Sequence, residues 1–110
     1  MGFQLDIKDD DSFRREVLEV PGVCQVVELY PAWCGPCKAI QSTFKRIYFD
    51  AGDRPLKFFT ADADKLSGME EHREKNQPVF LFYKDGKMID HVVGVVAPQL
   101  ERKINQYSAV

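Results

Sequence analysis

The sequence predicts an α/β domain in which one central mixed β-sheet is flanked by helices, and three observations carry that prediction. Apolar runs of strand length, Val23 to Tyr30 and Leu56 to Ala61, alternate with stretches of helical periodicity along the chain. Asp85-Gly86 stands between the runs Pro78 to Tyr83 and Met88 to Val93. An Asp-Gly pair in that setting is a type I′ hairpin signal, so an antiparallel pair joins strands that the helical connections would otherwise leave parallel. Finally, 110 residues with 45% hydrophobic and 29% charged content suit one ordinary core. Residues 1–110 are therefore expected to form a single domain.

Taken in order, Phe3, Leu5 and Ile7 alternate with polar residues and predict a short first strand with one buried face. Asp9, Asp10, Asp11 and Ser12 supply capping side chains and favourable negative charge for a helix carrying Phe13, Val17 and Leu18. Pro21-Gly22 ends that helix. Val23 to Tyr30 is too apolar to have one wet face and predicts a central strand buried on both sides, although Glu28 lies inside it. A helix after Cys34 places Ile40, Phe44, Ile47 and Tyr48 on one stripe, with the segment from Asp50 to Pro55 as its exit. Beyond the strand at Leu56, Leu66 and Met69 form a weak helical stripe. Pro98 suits the first turn of a last helix with Leu100, Ile104 and Tyr107 on one face.

Charge and targeting signals narrow the function. The net charge of -2 comes from 15 basic and 17 acidic residues that are interspersed, so no basic patch points to nucleic acid or to anionic lipid. The N-terminus lacks a basic flank followed by an apolar core segment, and Asp6 stands where a myristoylation signal at Gly2 would need Ser or Thr. No apolar run approaches membrane-spanning length, so no membrane association is expected. Three cysteines, only two of them close together, do not form a secreted disulfide framework, which argues for a reducing, cytoplasmic compartment.

The chemistry is concentrated in Trp33-Cys34-Gly35-Pro36-Cys37-Lys38. Two cysteines separated by Gly-Pro stand between a strand-like run and a helical run, the context in which a C-x-x-C is a redox motif. At the helix N-terminus the unpaired backbone N–H groups and the macrodipole favour an anion, so a thiolate is expected at Cys34. Cys37, one helical turn on, is close enough to resolve a mixed disulfide formed at Cys34. A zinc site is the alternative use of such a pair, but it needs four ligands. Only Cys24, His72 and His91 remain, without a second close-spaced motif, and no metal is expected. Cys24, in the apolar strand, is expected to be a core thiol.

These residues resemble the active-site motif of the thioredoxin family, and the resemblance extends over most of the chain. It implies the thioredoxin fold and dithiol–disulfide exchange with protein disulfides as substrates. It further implies no cofactor bound by the chain itself, and re-reduction by a flavin- and NADPH-dependent thioredoxin reductase. Cys34 would be the nucleophile and Cys37 the resolving cysteine. Glu28, six residues before Cys34, stands where the family usually carries a buried aspartate. In a low-dielectric strand its pKa should be raised, letting it relay a proton to or from Cys37; the alternative is a side chain that swings to the strand end and is solvated. The family's usual lysine neighbour of that carboxylate is replaced near Thr60, and Ser42 stands where many members have a helix-kinking proline. Pro78 resembles the family's cis-proline, with Gln77 presenting backbone groups to an extended substrate, and Gly94-Val95 resembles the glycine loop across the groove. Trp33 would cover the disulfide, and Gly35 and Pro36 would complete the substrate-binding surface.

Two functional readings follow. Pro78-Val79-Phe80-Leu81-Phe82, preceded by the charged Glu70-Glu71-His72-Arg73-Glu74-Lys75, resembles the thioredoxin-like light chains of ciliary outer-arm dynein and their relatives fused to nucleoside diphosphate kinase domains. That resemblance implies a redox-active light chain in the cilium or flagellum axoneme, with the dynein heavy chain or other axonemal subunits as partners. The other reading is a free soluble thioredoxin acting as a general protein-disulfide reductase. The sequence stops at Val110, just past the last predicted helix, which favours a stand-alone light chain over a kinase fusion.

Overall fold

Five strands form one sheet in the order β1-β3-β2-β4-β5, where β1 is Gln4–Ile7, β2 Cys24–Tyr30, β3 Leu56–Asp62, β4 Val79–Lys84 and β5 Lys87–Val93. The computed structural model describes residues 4–30, 45–47, 49–50, 55–62, 65–66, 79–94 and 97–108. Strand β3 runs parallel to both β1 and β2, whereas β4 is antiparallel to β2 and to β5, so the sheet is mixed as expected. A short helix α1 (Asp10–Phe13) and the C-terminal helix α2 (Ala97–Tyr107) accompany it, and residues 45–47 and 49–50 are also helical. Phe3, Ile40, Phe44, Tyr48 and Met69, each assigned above to a strand or helix face, lie outside the described residues.

Strand β2 has a neighbour on each side and apolar cover on both faces, which is why its sequence shows no alternation. On one face Val27 and Leu29 pack with Phe59, Ala61, Val79, Leu81 and Tyr83 against Phe13 and Val17. On the other, Cys24 and Val26 pack with Phe58, Phe80, Phe82 and Val92 against Ile47, Leu100 and Ile104. Each fully buried side chain of this size contributes about 1.5–3 kcal/mol relative to exposure. Gln25 is buried in the same strand, and its amide nitrogen donates to the carbonyl of Val20 at 3.1 Å.

Two apolar positions do not do what their spacing predicts. Asp9 caps α1 as expected, accepting from the backbone N–H of Ser12 at 2.7 Å, but the helix then widens into a π-helical turn over Arg14–Leu18, closed by a bond from Glu19 N–H to the Arg14 carbonyl at 2.9 Å. The wider turn rotates its last residue away from the Phe13–Val17 stripe, and Leu18 is 36% exposed. Leu5 is 49% exposed because β1 is an outer strand, while Ile7 beside it is buried.

The hairpin is the one the Asp-Gly pair predicts: Asp85 and Gly86 have φ of 53° and 80°, both positive as a type I′ turn requires. The Gly22 N–H donates to Asp85 Oδ1 at 2.7 Å, tying this turn to the entry of β2. A Cβ on Gly86 would stand 2.8 Å from the Leu18 carbonyl oxygen. Gly86→Ala is therefore expected to lower stability by about 2–3 kcal/mol, read as a fall in the urea midpoint with unchanged slope. A change of a few tenths would contradict the close approach.

Helix α2 is pinned to β5 through Asp90, whose Oδ2 accepts from Lys103 Nζ and from Tyr107 Oη, each at 2.6 Å. Arg46 reaches α2 as well, donating to both carboxylate oxygens of Glu101 at 3.2 and 2.8 Å. The hydrogen bond from Lys103, seconded by that from Tyr107, lowers the Asp90 pKa from 3.8 to about 2. Because the folded value lies below the unfolded one, the associated stability is present above about pH 4 and is lost as pH falls through about 2. With screening by water, Asp90→Asn is expected to cost about 1 kcal/mol at neutral pH and to flatten the acid limb of the stability profile. An unchanged acid limb would mean that the clamp is not formed in solution.

Candidate functional site

Strand pairing brings three chain ends to one edge of the sheet. Leu29, next to last in β2, pairs with Val79, the first residue of β4, and Val79 pairs with Val93, the last residue of β5. The chain therefore leaves β2 towards Pro31 beside the point where it enters β4 from Pro78, and beside Gly94. Gly94 is buried with φ of 89°, a left-handed conformation that favours glycine, so the turn out of β5 needs this residue type. Trp33, Cys34, Gly35, Pro36, Cys37, Gln77 and Pro78 lie outside the described residues, as do Ser42, Val95 and the isomer of the bond before Pro78.

Glu28 lies two residues before the end of β2, paired with Thr60 on one side and Phe80 on the other. Its exposure is 2%, so in this structure the carboxyl does not swing out to water. Alternation along β2 puts Glu28 on the face that carries Cys24 and Val26, where the neighbouring strands present Phe58, Phe80 and Val92. The position expected to differ from the family's lysine, Thr60, is directly opposite Glu28, and its hydroxyl donates to Asp6 Oδ1 at 3.0 Å. Sequence reading did not single out Asp6, because its alignment with Thr60 and Glu28 exists only once the register of three strands is known.

Cys24 is kept apart from the candidate site. It begins β2, six residues before Tyr30, which at about 3.3 Å per residue places it roughly 20 Å from the strand end that leads to Cys34. It is fully buried, and desolvation pushes its thiol up to about 11, so it is protonated and inert near neutral pH. Among the described residues no group of His, Cys, Asp or Glu could hold a metal ion, and no helix is long and apolar enough to cross a membrane.

Comparison with known proteins bears on the same chain length. A model of the thioredoxin family matches residues 4–106. The 14 kDa light chain of the flagellar outer-arm dynein of Chlamydomonas reinhardtii is 50% identical over 108 residues, covering 98% of this chain and 84% of that protein. The thioredoxin domain-containing protein 3 homolog of Heliocidaris crassispina is 40% identical over 91 residues, which is 83% of this chain but 11% of that much longer protein. Among solved structures, thioredoxin from Malassezia sympodialis superposes with a TM-score of 0.78 at 32% identity, covering 99% of this chain and 94% of that one. Thioredoxin from Trypanosoma brucei brucei gives 0.76 at 28% identity, covering 94% and 89%. With the sheet order, the hairpin and the buried carboxyl of β2 in place, and with relatives covering nearly its full length, the chain belongs to the thioredoxin family.

Proposed function

We propose that this protein is a thioredoxin-like light chain of an outer dynein arm, resident in the axoneme and carrying a working dithiol at Cys34 and Cys37. The observation that carries the reading is the 50% identity over 98% of the chain to a flagellar outer-arm dynein light chain. The Cys34-Gly35-Pro36-Cys37 sequence at the exit of β2 supports the chemistry.

In the reaction, the Cys34 thiolate attacks a sulfur of a partner disulfide, forming a mixed disulfide and releasing one partner thiolate. The Cys37 sulfur then attacks Cys34, releasing the second thiolate and leaving the Cys34–Cys37 disulfide. Two electrons pass from the dithiol to the partner. Glu28, as a carboxylate, takes the Cys37 proton as that sulfur becomes nucleophilic, and a neighbouring thioredoxin reductase or another dithiol returns the electrons. Trp33, Gly35, Pro36, Gln77, Pro78 and Gly94 present the groove to an extended segment of the partner, while a separate face holds the dynein heavy chain or another axonemal subunit.

A second reading, the free thioredoxin, is favoured by the likeness to thioredoxins along the whole fold. Size fractionation of a native ciliary extract under reducing conditions separates the two. The light-chain reading expects the chain in a large particle that sediments with outer-arm subunits. Quantitative recovery as a 12.6 kDa monomer that a thioredoxin reductase turns over rapidly would leave the free enzyme instead.

A further inference from the structure

Strand β5 ends the sheet, and one of its faces is bare. Its register sets Val93 against Val79, His91 against Leu81 and Met88 against Tyr83. Paired residues project from the same face of a sheet, so these three share the face on which Phe13 and Val17 pack. Burial ends at β4: Val79, Leu81 and Tyr83 are buried, whereas Met88 is 52% and Val93 40% exposed, with His91 exposed between them. Helix α1 and its π-helical turn lie over the adjoining strand, the Phe13 ring edge-on to Tyr83 at 5.3 Å and the Leu18 carbonyl close against Gly86. Leu18, itself exposed, borders the bare strip at its hairpin end.

Two irregularities meet at that end, and each exposes an apolar side chain. One is the π-helical turn at Leu18. The other is a bulge: between the Phe82–Asp90 and Tyr83–Met88 pairs, β5 carries one extra residue, Ile89, which is 41% exposed. A bulge disrupts the ladder and twists the strand edge, and Lys87 adds an exposed charge there, so this edge is ill suited to strand addition. The strip instead offers side chains, the kind of surface on which a helix packs through residues at i, i+3, i+4 and i+7. Charge selects the kind of helix. Lys84 and Lys87 are directly paired, and like charges opposed in this way destabilise a hairpin. The carboxylate between them in the chain, on Asp85, already accepts from the Gly22 N–H at 2.7 Å. Lysine carries its charge on a flexible four-carbon stem, so both ammonium groups can meet a carboxylate presented at the end of the strip.

We propose that the hairpin end of β5, bordered by Leu18, is the docking face by which this chain is held in its assembly, and that it takes an amphipathic helix of a larger subunit. That helix is apolar towards Leu18, Met88 and Ile89 and acidic at the end that meets Lys84 and Lys87. The proposal rests on the light-chain reading and names the face that reading requires. Docking continues the helical layer that Asp10–Leu18 begins on this side of the sheet, buries the apolar strip and relieves the lysine pair. Met88 and Val93 are on the order of 15 Å apart along the strand, so a helix anchored at Met88 leaves the Gly94 end to the redox partner.

The test follows a tagged full-length chain, expressed in the ciliated cell, between the large particle and the monomer pool of a native ciliary extract under reducing conditions. Met88→Thr with Ile89→Thr keeps good strand formers and removes apolar area, and the ratio of particle-bound to free chain is expected to fall by at least about tenfold. Lys87→Glu should lower that ratio about fivefold. The same change turns a like-charged pair into an opposite one, so the free chain should melt no lower than wild type, which a merely unfolded variant would not do. Reduction of dithiobis-nitrobenzoate by each variant should keep the wild-type rate. A photoreactive side chain at Ile89 should cross-link, within the particle, to a peptide with apolar residues at i, i+3 or i+4 and i+7 and carboxylates at one end. Cross-linking to a second copy of this chain, or to a segment without that pattern, would overturn the proposal, as would normal incorporation of Lys87→Glu. If wild type is in the particle and both variants join it equally well, the docking face is wrong and the light-chain reading survives. If wild type is itself monomeric, the light-chain reading fails and the docking face falls with it.

Discussion

A Cys37→Ser chain, reduced and then mixed with an oxidised ciliary extract, is expected to become covalently attached to its partner and to stay attached. Attack by Cys34 needs only its own thiolate, whereas release needs a second sulfur. Each chain should therefore consume one disulfide and turn over none, a complete loss of catalysis with retention of the first step. The attached partner should come free with dithiothreitol, and digestion should locate the bond at Cys34. Replacing both cysteines should abolish this contact while leaving the chain in its large particle, as the proposed light-chain reading, with a docking face apart from the dithiol, requires. Attachment through Cys24 would contradict the account, because that thiol is fully buried at the far end of β2.

The second large effect is expected at Glu28. Glu28→Gln keeps the size of the side chain and removes its capacity to take a proton, so the resolving step should slow by about 10²-fold near neutral pH. The same change should stabilise the fold at alkaline pH. Glu28 is 2% exposed, and an ionised carboxylate buried in this strand costs more than an amide, whereas the neutral acid and the amide are close in cost. The stability gain should accordingly grow as pH rises and vanish in acid. Equal rates and parallel stability profiles from about pH 6 to about pH 9 would show that the carboxyl takes no part.

How much of this was legible depended on how local the signal was. The hairpin follows from two adjacent residues, because the type I′ turn that suits the twist of two paired strands needs positive φ at both positions and Asp85-Gly86 can adopt it. The absence of alternation in β2 predicted its central place, since a strand with two neighbours and two covered faces has no wet side. Leu5 and Leu18 were misjudged because exposure at a sheet edge, and the phase of a helix after a π-turn, depend on neighbours that spacing does not encode. The dithiol motif is readable because its chemistry sits in six consecutive residues. The row Asp6–Thr60–Glu28 is not, because its members are far apart in the chain and meet only through the register of two strand pairs.

That Cys34 is the attacking thiol of a redox pair is tested most directly by the order of alkylation. The reduced protein is treated with limiting iodoacetamide near neutral pH, and each cysteine is followed by peptide mass spectrometry. Cys34 is expected to be modified first, because the motif reading makes it the thiolate of the pair, and Cys37 more slowly. Cys24 should react only on unfolding, since it is fully buried and its thiol is pushed up to about 11. Modification of Cys37 or Cys24 ahead of Cys34 would contradict the account.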